Sequence, residues 1–267
     1  MIDIRSQLRQ RVPFSWRVNL RRAPAVVRSF WRSPRCKKAS TGSFGHCQWR
    51  HQSPLCRQST SYDTAIQLAK EHNIRLVAER LDAMVIEPGQ TFSWHREVGP
   101  PLRWRGFQDG PEMHDGRTTT GRGGGICQVA NMFFWLGLHA GLKVVERHRH
   151  GFDLFPDEER TVPFGCGATV FFPTLDLKMA NTDQLPVLFR LWIEAGGLHG
   201  EVRFPSQPSE RWSIVEEGHR FFSQEGTLFR ENEIFRVVDD GSTAQRELLA
   251  KNRAVVCYTV DGQKKTQ

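Results

Sequence analysis

Four glycines within five residues lead into an apolar segment with the length of a buried helix, and this feature most restricts how the chain can fold. Residues 121–125 hold the glycines, Ile126-Cys127-Gln128 follow, and residues 129–140 are almost entirely apolar. Apolar side chains that recur at helical spacing and also fill the other faces are typical of a helix buried on all sides. Gly141 is suited to the left-handed conformation that ends a helix. The sequence therefore predicts a central helix that begins close to Cys127 and is entered through a tight turn.

The other predicted elements are one more helix and a series of short strands. Ile66, Ala69 and Leu76 recur at helical intervals and predict a helix over residues 64–81. Short apolar runs bounded by Gly and Pro predict strands over residues 85–86, 91–94, 143–150, 168–172, 187–193, 200–204, 230–238 and 254–260. We expect an α+β fold in which a mostly antiparallel sheet packs on the buried central helix.

The charge of the chain is concentrated in its N-terminal part. The net charge is +8, yet residues 1–60 contain thirteen lysines and arginines and a single acid, Asp3, so the remainder is mildly acidic. Composition becomes that of a folded domain near Ser61. We therefore expect a basic arm over residues 1–60, partly disordered or helical, a core domain over residues 61–205, and a β-rich extension over residues 206–267 packed on the core.

The basic arm bears on where the protein acts. Arginines interrupt every apolar run of the arm, so no secretory signal peptide is recognisable and the sequence predicts a cytoplasmic protein. Basic residues near an anionic lipid surface each contribute about 1 kcal/mol to binding, which favours peripheral contact with the inner membrane face through residues 1–60. A solvated extension without a partner is the alternative. No nucleic-acid-binding motif is present, so we expect no specific nucleic-acid partner.

Cys127 is the candidate nucleophile. A thiol in the first turn of a helix lies beside free amides and the positive end of the helix dipole, which lower its pKa. The preceding Gly124 and Gly125 allow a substrate backbone to approach and leave amides free to hold an oxyanion, and Gln128 lies next to them. A phosphate-binding loop is disfavoured because the Lys-Ser/Thr pair is missing, and we expect no cofactor. The alternative is a tight loop followed by a buried, inert cysteine.

Two histidines after the central helix are candidate bases. On a regular strand, Glu146, His148 and His150 share one face. A cysteine on a helix followed by a histidine on a strand is the order found in papain-like and transglutaminase-like enzymes. Zinc held by Cys127, His148 and His150 is an alternative. A second possible zinc set consists of Cys36, Cys47, His51 and Cys56. It lacks a Cys-x-x-Cys pair and is only a weak signal for zinc, so we expect no metal.

These motifs, taken in order, resemble the VanW family, named from accessory proteins of vancomycin-resistance clusters. The matching elements are Pro88-Gly89-Gln90-Thr91-Phe92-Ser93, Val98-Gly99-Pro100, Gly106-Phe107, Gly123-Gly124-Gly125-Ile126-Cys127-Gln128, Glu146-Arg147 with His150, Ala168-Thr169-Val170, and Asp176-Leu177 with Asn181. The resemblance implies an association with the bacterial cell envelope and glycopeptide antibiotics. It implies no established reaction.

One departure from the family pattern concerns the acid that orients the base. The family usually has Asp just before Ala-Thr-Val, whereas Cys166-Gly167 stand there in this chain, so Asp153 or Asp176 would have to substitute. We expect a thiol-dependent acyl-transfer or peptide-hydrolysing enzyme with Cys127 as nucleophile and His150, or else His148, as base. Its substrate would be a cell-wall peptide or precursor. The alternative is a binding module that holds such a peptide in the same groove without turnover.

Overall fold

A computed structural model of the chain describes residues 34–56, 63–114, 117–149, 151–153, 156–157, 160–239, 244–258 and 260. Within these residues, no helix combines the length and the apolar character needed to cross a membrane. The first 33 residues of the basic arm, and the candidate base His150, lie outside the described residues.

The described residues contain three α-helices, which are α1 (Thr64–Leu81), α2 (Trp94–Glu97) and α3 (Cys127–His139). Short 3-10 helices cover Thr41–Ser43 and Arg103–Arg105. The strands in chain order are β1 (Lys37–Lys38), β2 (His46–Pro54), β3 (Met84–Ile86), β4 (Thr91–Ser93), β5 (Asp109–His114), β6 (Arg117–Arg122), β7 (Lys143–Glu146), β8 (Phe152–Asp153), β9 (Lys178–Ala180), β10 (Val187–Glu194), β11 (Gly197–Phe204), β12 (Arg211–Gln224), β13 (Thr227–Asp239) and β14 (Ala244–Val256).

The strands form four sheets. The largest has the order β1-β3-β10-β11-β2, and each of its neighbouring pairs is antiparallel. A second sheet, β12-β13-β14-β8, is made of long antiparallel hairpins with β8 added in parallel. Strands β4-β9-β7 form a third sheet, and β5-β6 form a separate hairpin. Strands outnumber helices and most pairs are antiparallel, which confirms the predicted α+β class.

Helix α3 lies in the main hydrophobic core. Every residue from Val129 to His139 except Asn131 is buried or lies in the core cluster, so the helix has no solvent-facing side after its first turn. Phe133 stacks between two other rings, with centroid distances of 4.1 Å to Phe92 and 4.1 Å to Phe189. The Leu136 side chain of the helix packs against Gly200 of β11, where a Cβ would lie only 2.7 Å from it. The core therefore holds the N-terminus of α3 in one position.

Helix α1 begins and ends where the sequence predicts. Asp63 caps its N-terminus, because the carboxylate accepts a hydrogen bond of 2.9 Å from the Ala65 N–H. Ile74, Val77 and Leu81 recur on one face and are fully buried. The helix packs on β10 and on β5, so it connects the main sheet with the hairpin beside the glycine turn.

Two predicted strands differ in the structure. The strand predicted over residues 143–150 ends at Glu146, after a register irregularity opposite β9. Residues 168–172 form no strand, because their amides bond elsewhere: the Ala168 N–H donates to the Asn131 side chain and the Thr169 N–H to the His148 carbonyl. Asn131 belongs to α3, so a side chain from the helix takes the place of a neighbouring strand.

Part of the region assigned to the basic arm belongs to the main sheet. Residues 34–56 include β1, which pairs with β3, and β2, which pairs with β11 along most of its length. Strand β2 contains few apolar residues, so the sequence pattern did not indicate it. At the other end of the chain, Trp212 of β12 and Ile234 of β13 are buried in the main core.

Candidate functional site

The glycine turn before α3 is shaped by close contact with the β5–β6 hairpin. A Cβ on Gly124 would lie 2.1 Å from the carbonyl oxygen of Gly110, and Gly125 has a φ of +96°. The first position has no room for a side chain and the second has a backbone conformation that other residues rarely adopt. The predicted oxyanion glycines are therefore required by packing and by backbone geometry.

Cys127 is the first residue of α3, as the sequence predicts. Its Sγ lies 3.7 Å from the Val170 carbonyl oxygen, at hydrogen-bond range for a thiol. Burial raises the pKa of the Cys127 thiol, and the nearby Glu112 carboxylate raises it further. The direction is opposite to the one expected from the helix N-terminus alone, because desolvation of the thiolate outweighs the backbone hydrogen bonds at Val170 and Cys127. The resting side chain is a neutral thiol near neutral pH.

The backbone N–H groups of Gly125 and Cys127, at the end of the glycine turn and the start of α3, are candidate donors to a bound anion. The Gly124 N–H donates to the Gly121 carbonyl, and the helix amides after Cys127 donate to carbonyls of the turn. The Gly125 N–H has no acceptor among the residues that the structure describes, whereas the Cys127 N–H is directed at its own Sγ. Both belong to the helix N-terminus, where unpaired amides attract negative charge. This is the feature that an oxyanion site requires.

His148 is oriented by an acid that the sequence analysis did not assign to this role. Its Nε2 lies 3.0 Å from Glu146 Oε1, so the carboxylate accepts a hydrogen bond from the protonated nitrogen and Nδ1 is left as the acceptor. Lys178 of the neighbouring β9 donates to Glu146 Oε2 at 2.7 Å. Two residues on one face of an extended segment, Glu-x-His, are the sequence signal that would have identified the pair.

A short backbone segment connects the thiol with His148. The Thr169 N–H donates to the His148 carbonyl at 2.8 Å, and the next residue, Val170, supplies the carbonyl beside Cys127. Within the described part of the chain, no hydrogen bond joins Cys127 to His148 directly. Cys127 and His148 therefore both contact the backbone of residues 169–170, but they do not form a cysteine–histidine pair in the resting protein.

The other predicted site residues have structural partners. Gln128 donates from Nε2 to the Ser53 hydroxyl at 2.9 Å and to the Pro54 carbonyl at 2.8 Å, which ties α3 to the end of β2. Asp153 is 2 % exposed and accepts hydrogen bonds from Arg230 at 3.2 Å and from the Tyr258 hydroxyl at 2.9 Å. These contacts tie β8 to β13 and to the segment that follows β14.

Asp176 is also committed to other partners. It accepts hydrogen bonds from the Ser93 hydroxyl at 2.6 Å and from the His95 N–H at 2.9 Å. Neither Asp153 nor Asp176 hydrogen-bonds to His148, whose partner among the described residues is Glu146. Among the described residues, Asp176 connects to that pair through Lys178, whose Nζ lies 3.8 Å from its Oδ2.

A buried histidine beside Asp176 was not identified from the sequence. His95 is 2 % exposed. Its ring packs edge-on against Phe172, and its Nδ1 lies 3.8 Å from Asp176 Oδ2. Burial lowers the pKa of His95, and the Asp176 charge offsets only part of this effect. The position follows Ser93 and Trp94 at the start of α2, so a short capped turn places the ring in the core.

The structure does not bring the predicted zinc ligands together in the part of the chain that it describes. No group of three or more His, Cys, Asp and Glu residues suited to a metal occurs there. In the N-terminal set, Cys36 lies beside Glu97, Cys47 lies 3.6 Å from Glu201, and His51 contacts Thr161. The other candidate set, Cys127, His148 and His150, includes His150, which lies outside the described residues.

Comparison with known proteins decides the family. A family model described as VanW like protein matches residues 69–203, about half of the chain. The chain belongs to the VanW family. The VanW match includes the glycine turn, Cys127, Glu146, His148 and Asp176, and it ends with β11, before the long hairpins of β12–β14.

Two curated relatives support the assignment. The vancomycin B-type resistance protein VanW of Enterococcus faecalis is 28% identical over 207 residues, which are 76% of this chain and 75% of the relative. The uncharacterized protein YoaR of Bacillus subtilis is 34% identical over 136 residues, which are 50% of this chain and 42% of the relative. No solved structure matches the chain. The VanW family is linked to vancomycin resistance.

Proposed function

We propose that this VanW protein is a thiol-dependent acyl-transfer enzyme, either a hydrolase or a transpeptidase-like enzyme, with Cys127 as its nucleophile. The observation that carries the proposal is the position of the thiol at the start of a buried helix, next to the N–H groups of the adjoining turn: the Cys127 N–H is directed at the thiol, and the Gly125 N–H has no acceptor among the described residues. Amides fixed in this way stabilise negative charge that develops on a carbonyl oxygen.

The reaction has two steps. Sγ of Cys127 bonds to a substrate carbonyl carbon while its proton passes to a base, and the carbonyl oxygen becomes an oxyanion held by the two amides. The carbon–nitrogen bond then breaks, and the leaving amine takes the proton from the base, which leaves a thioester on Cys127. Water or a second amine attacks the thioester, loses a proton to the base and releases the thiol.

The raised pKa of Cys127 makes the base essential. Since the thiol is neutral at rest, its proton must leave as the new bond forms. His148, oriented by Glu146 and connected to the Cys127 environment through residues 168–170, is the base that the described contacts favour. His150 is the second candidate. Movement of the His148 ring towards Sγ on substrate binding would complete the pair.

The proposed substrate is a cell-wall peptide or its precursor. The name of the Enterococcus relative, a vancomycin B-type resistance protein, supports this choice, because vancomycin resistance concerns the cell wall. To test this, wild-type protein, Cys127→Ala and His148→Ala are each incubated with a synthetic cell-wall stem pentapeptide. The masses of the protein and of the peptide are then measured. We expect a shortened or acylated product with wild-type protein, none with Cys127→Ala, and a strongly slowed reaction with His148→Ala.

A non-catalytic binding module is the second candidate function, and the raised pKa of Cys127 favours it. Calorimetry with the same peptide separates the two functions. Binding that is equal in wild-type protein and Cys127→Ala, without any product, would establish the module and contradict the enzyme. An acyl-enzyme mass on Cys127 would contradict the module.

We also propose that the protein is cytoplasmic and contacts the inner membrane face through its basic N-terminal region. Eight arginines and one acid occur in residues 1–33, before the first described strand. A protein that lacks residues 1–33 retains β1 and β2, so it should fold and yet lose binding to vesicles of phosphatidylglycerol and phosphatidylcholine. Salt should weaken binding of the full chain. Equal binding by both proteins would contradict the proposal.

A further inference from the structure

Asn73 is a fully buried amide in the middle of α1, and it binds the glycine turn directly. Its Nδ2 donates to the Gly124 carbonyl at 3.0 Å and to the Gln108 carbonyl at 3.0 Å, and its Oδ1 accepts from the Gln108 N–H at 2.9 Å. The residue is 0 % exposed. Both N–H donors of the side chain and one of the two lone pairs of its oxygen are therefore used to hold two backbone segments.

The hydrogen bond to Gly124 determines which way the next amide points. The peptide unit between Gly124 and Gly125 is planar and trans, so its carbonyl and its N–H point in opposite directions. Asn73 binds the carbonyl from the α1 side. The Gly125 N–H is consequently directed away from α1, and it has no acceptor in the described part of the chain.

Gly110 of β5 supports the same orientation. A Cβ at this position would lie 2.6 Å from the Gly124 carbonyl oxygen, so the carbonyl occupies space that only a glycine leaves open. The Gln108 carbonyl accepts from the Gly123 N–H at 2.9 Å as well as from Asn73. Helix α1 and residues 108–110 thus fix the turn from the side of the Gly124 carbonyl.

We infer that Asn73 is a positioning residue that orients the Gly125 N–H as one of two donors of an oxyanion site, the other being the Cys127 N–H. The inference rests on the proposed acyl-transfer function. Asn73 touches neither the thiol nor the substrate and acts through the peptide unit that it holds. Loss of one oxyanion donor costs about 10²–10³ in rate, and a misaligned donor costs less.

Two reactions of the same thiol separate positioning from general damage. Acylation of Cys127 by 4-nitrophenyl acetate passes through an oxyanion and releases nitrophenolate, whereas alkylation by iodoacetamide displaces iodide at a saturated carbon and forms none. Both rates depend on the same thiolate fraction, so their ratio at one pH cancels any change in the pKa of Cys127. The rates are measured at Cys127 by peptide mass spectrometry, with Cys127→Ser as the background.

Asn181 provides a matched control. It is 1 % exposed, and it likewise donates twice to backbone carbonyls, at 2.9 Å and 2.8 Å, and accepts one backbone N–H. Asn181→Ala removes the same chemical group and a similar amount of stability, but it leaves the glycine turn intact. Asn73→Ser is a second variant for use where Asn73→Ala does not fold.

We expect the ratio of acylation to alkylation to fall by about tenfold to a hundredfold in Asn73→Ala or Asn73→Ser and to stay at the wild-type value in Asn181→Ala. An unchanged ratio in a folded Asn73 variant, or an equal fall in Asn181→Ala, would overturn the positioning role. Absence of any acylation of Cys127 in wild-type protein would instead contradict the proposed function, so the two failures are distinguishable.

Discussion

The pH dependence of stability is predicted to depend strongly on His139, the last residue of α3. The ring is 3 % exposed, stacks on Trp49 at a centroid distance of 3.8 Å and meets Trp135 edge-on at 4.5 Å. Burial lowers the pKa of His139 from 6.5 to about 4, with a smaller contribution from His51. The folded protein therefore resists protonation that the unfolded chain accepts.

The sign and size of the effect follow from linkage. Between the unfolded pKa of 6.5 and the folded pKa of about 4, the unfolded state binds more protons, so the free energy of unfolding falls as the pH falls. A difference of about 2.5 pKa units at about 1.4 kcal/mol each gives roughly 3 kcal/mol lost across this window. Above the unfolded pKa the residue contributes no pH dependence.

The variant His139→Phe keeps a ring between the two tryptophans and removes the titration. Urea unfolding followed by tryptophan fluorescence at a series of pH values gives the free energy of unfolding of both proteins. We expect the variant to gain about 3 kcal/mol relative to wild-type protein as the pH falls across the window. His95, whose pKa is also lowered by burial, titrates in both proteins and cancels in the difference.

His219→Phe, which replaces an exposed histidine on β12, controls for the loss of an imidazole as such. A stability difference between His139→Phe and wild-type protein that does not change with pH would refute the argument, because it would mean that the buried ring takes up its proton without cost. A difference that changes in the opposite direction would show that protonation stabilises the stack on Trp49.

Three further predictions concern packing, a buried ion pair and thiol reactivity. Gly124→Ala places a carbon 2.1 Å from a backbone carbonyl and should cost about 2 kcal/mol or more, whereas Gly45→Ala, with nothing within 4 Å, should stay within about 0.5 kcal/mol in urea unfolding. Asp153→Asn removes one of the two carboxylates paired with the 2 % exposed Arg230 side chain, the other being Asp157, and should cost about 2 kcal/mol in the same assay. Cys166, whose pKa burial raises to about 12, should resist iodoacetamide in the folded protein and react only in urea, by mass spectrometry.

The sequence pattern was sufficient where structure depends on neighbouring residues. The bounds of α1 follow from its apolar spacing, and the start of α3 at Cys127 follows from the glycine turn before it. Gly141 has the predicted positive φ, +74°, just after the helix. Each of these features is specified by residues within one or two helical turns of each other.

The pattern was insufficient where hydrogen-bond partners come from distant segments. Residues 168–172 look like a strand, yet Asn131 of α3 takes the Ala168 amide and prevents pairing. Strand β2 has few apolar residues and is recognised only through its pairing with β11. The partners are separated by 37 residues in the first case and by more than a hundred in the second, so no local window contains both.

The same division applies to the candidate site. The sequence alone determined that a thiol stands at the N-terminus of a buried helix after a glycine turn, because glycine freedom and apolar spacing are local properties. Only the tertiary structure decided that Glu146 holds His148, that Asn73 holds the turn, and that burial raises the pKa of Cys127. Desolvation and long-range hydrogen bonds depend on which segments cover a residue, and that information exists only once the chain has folded.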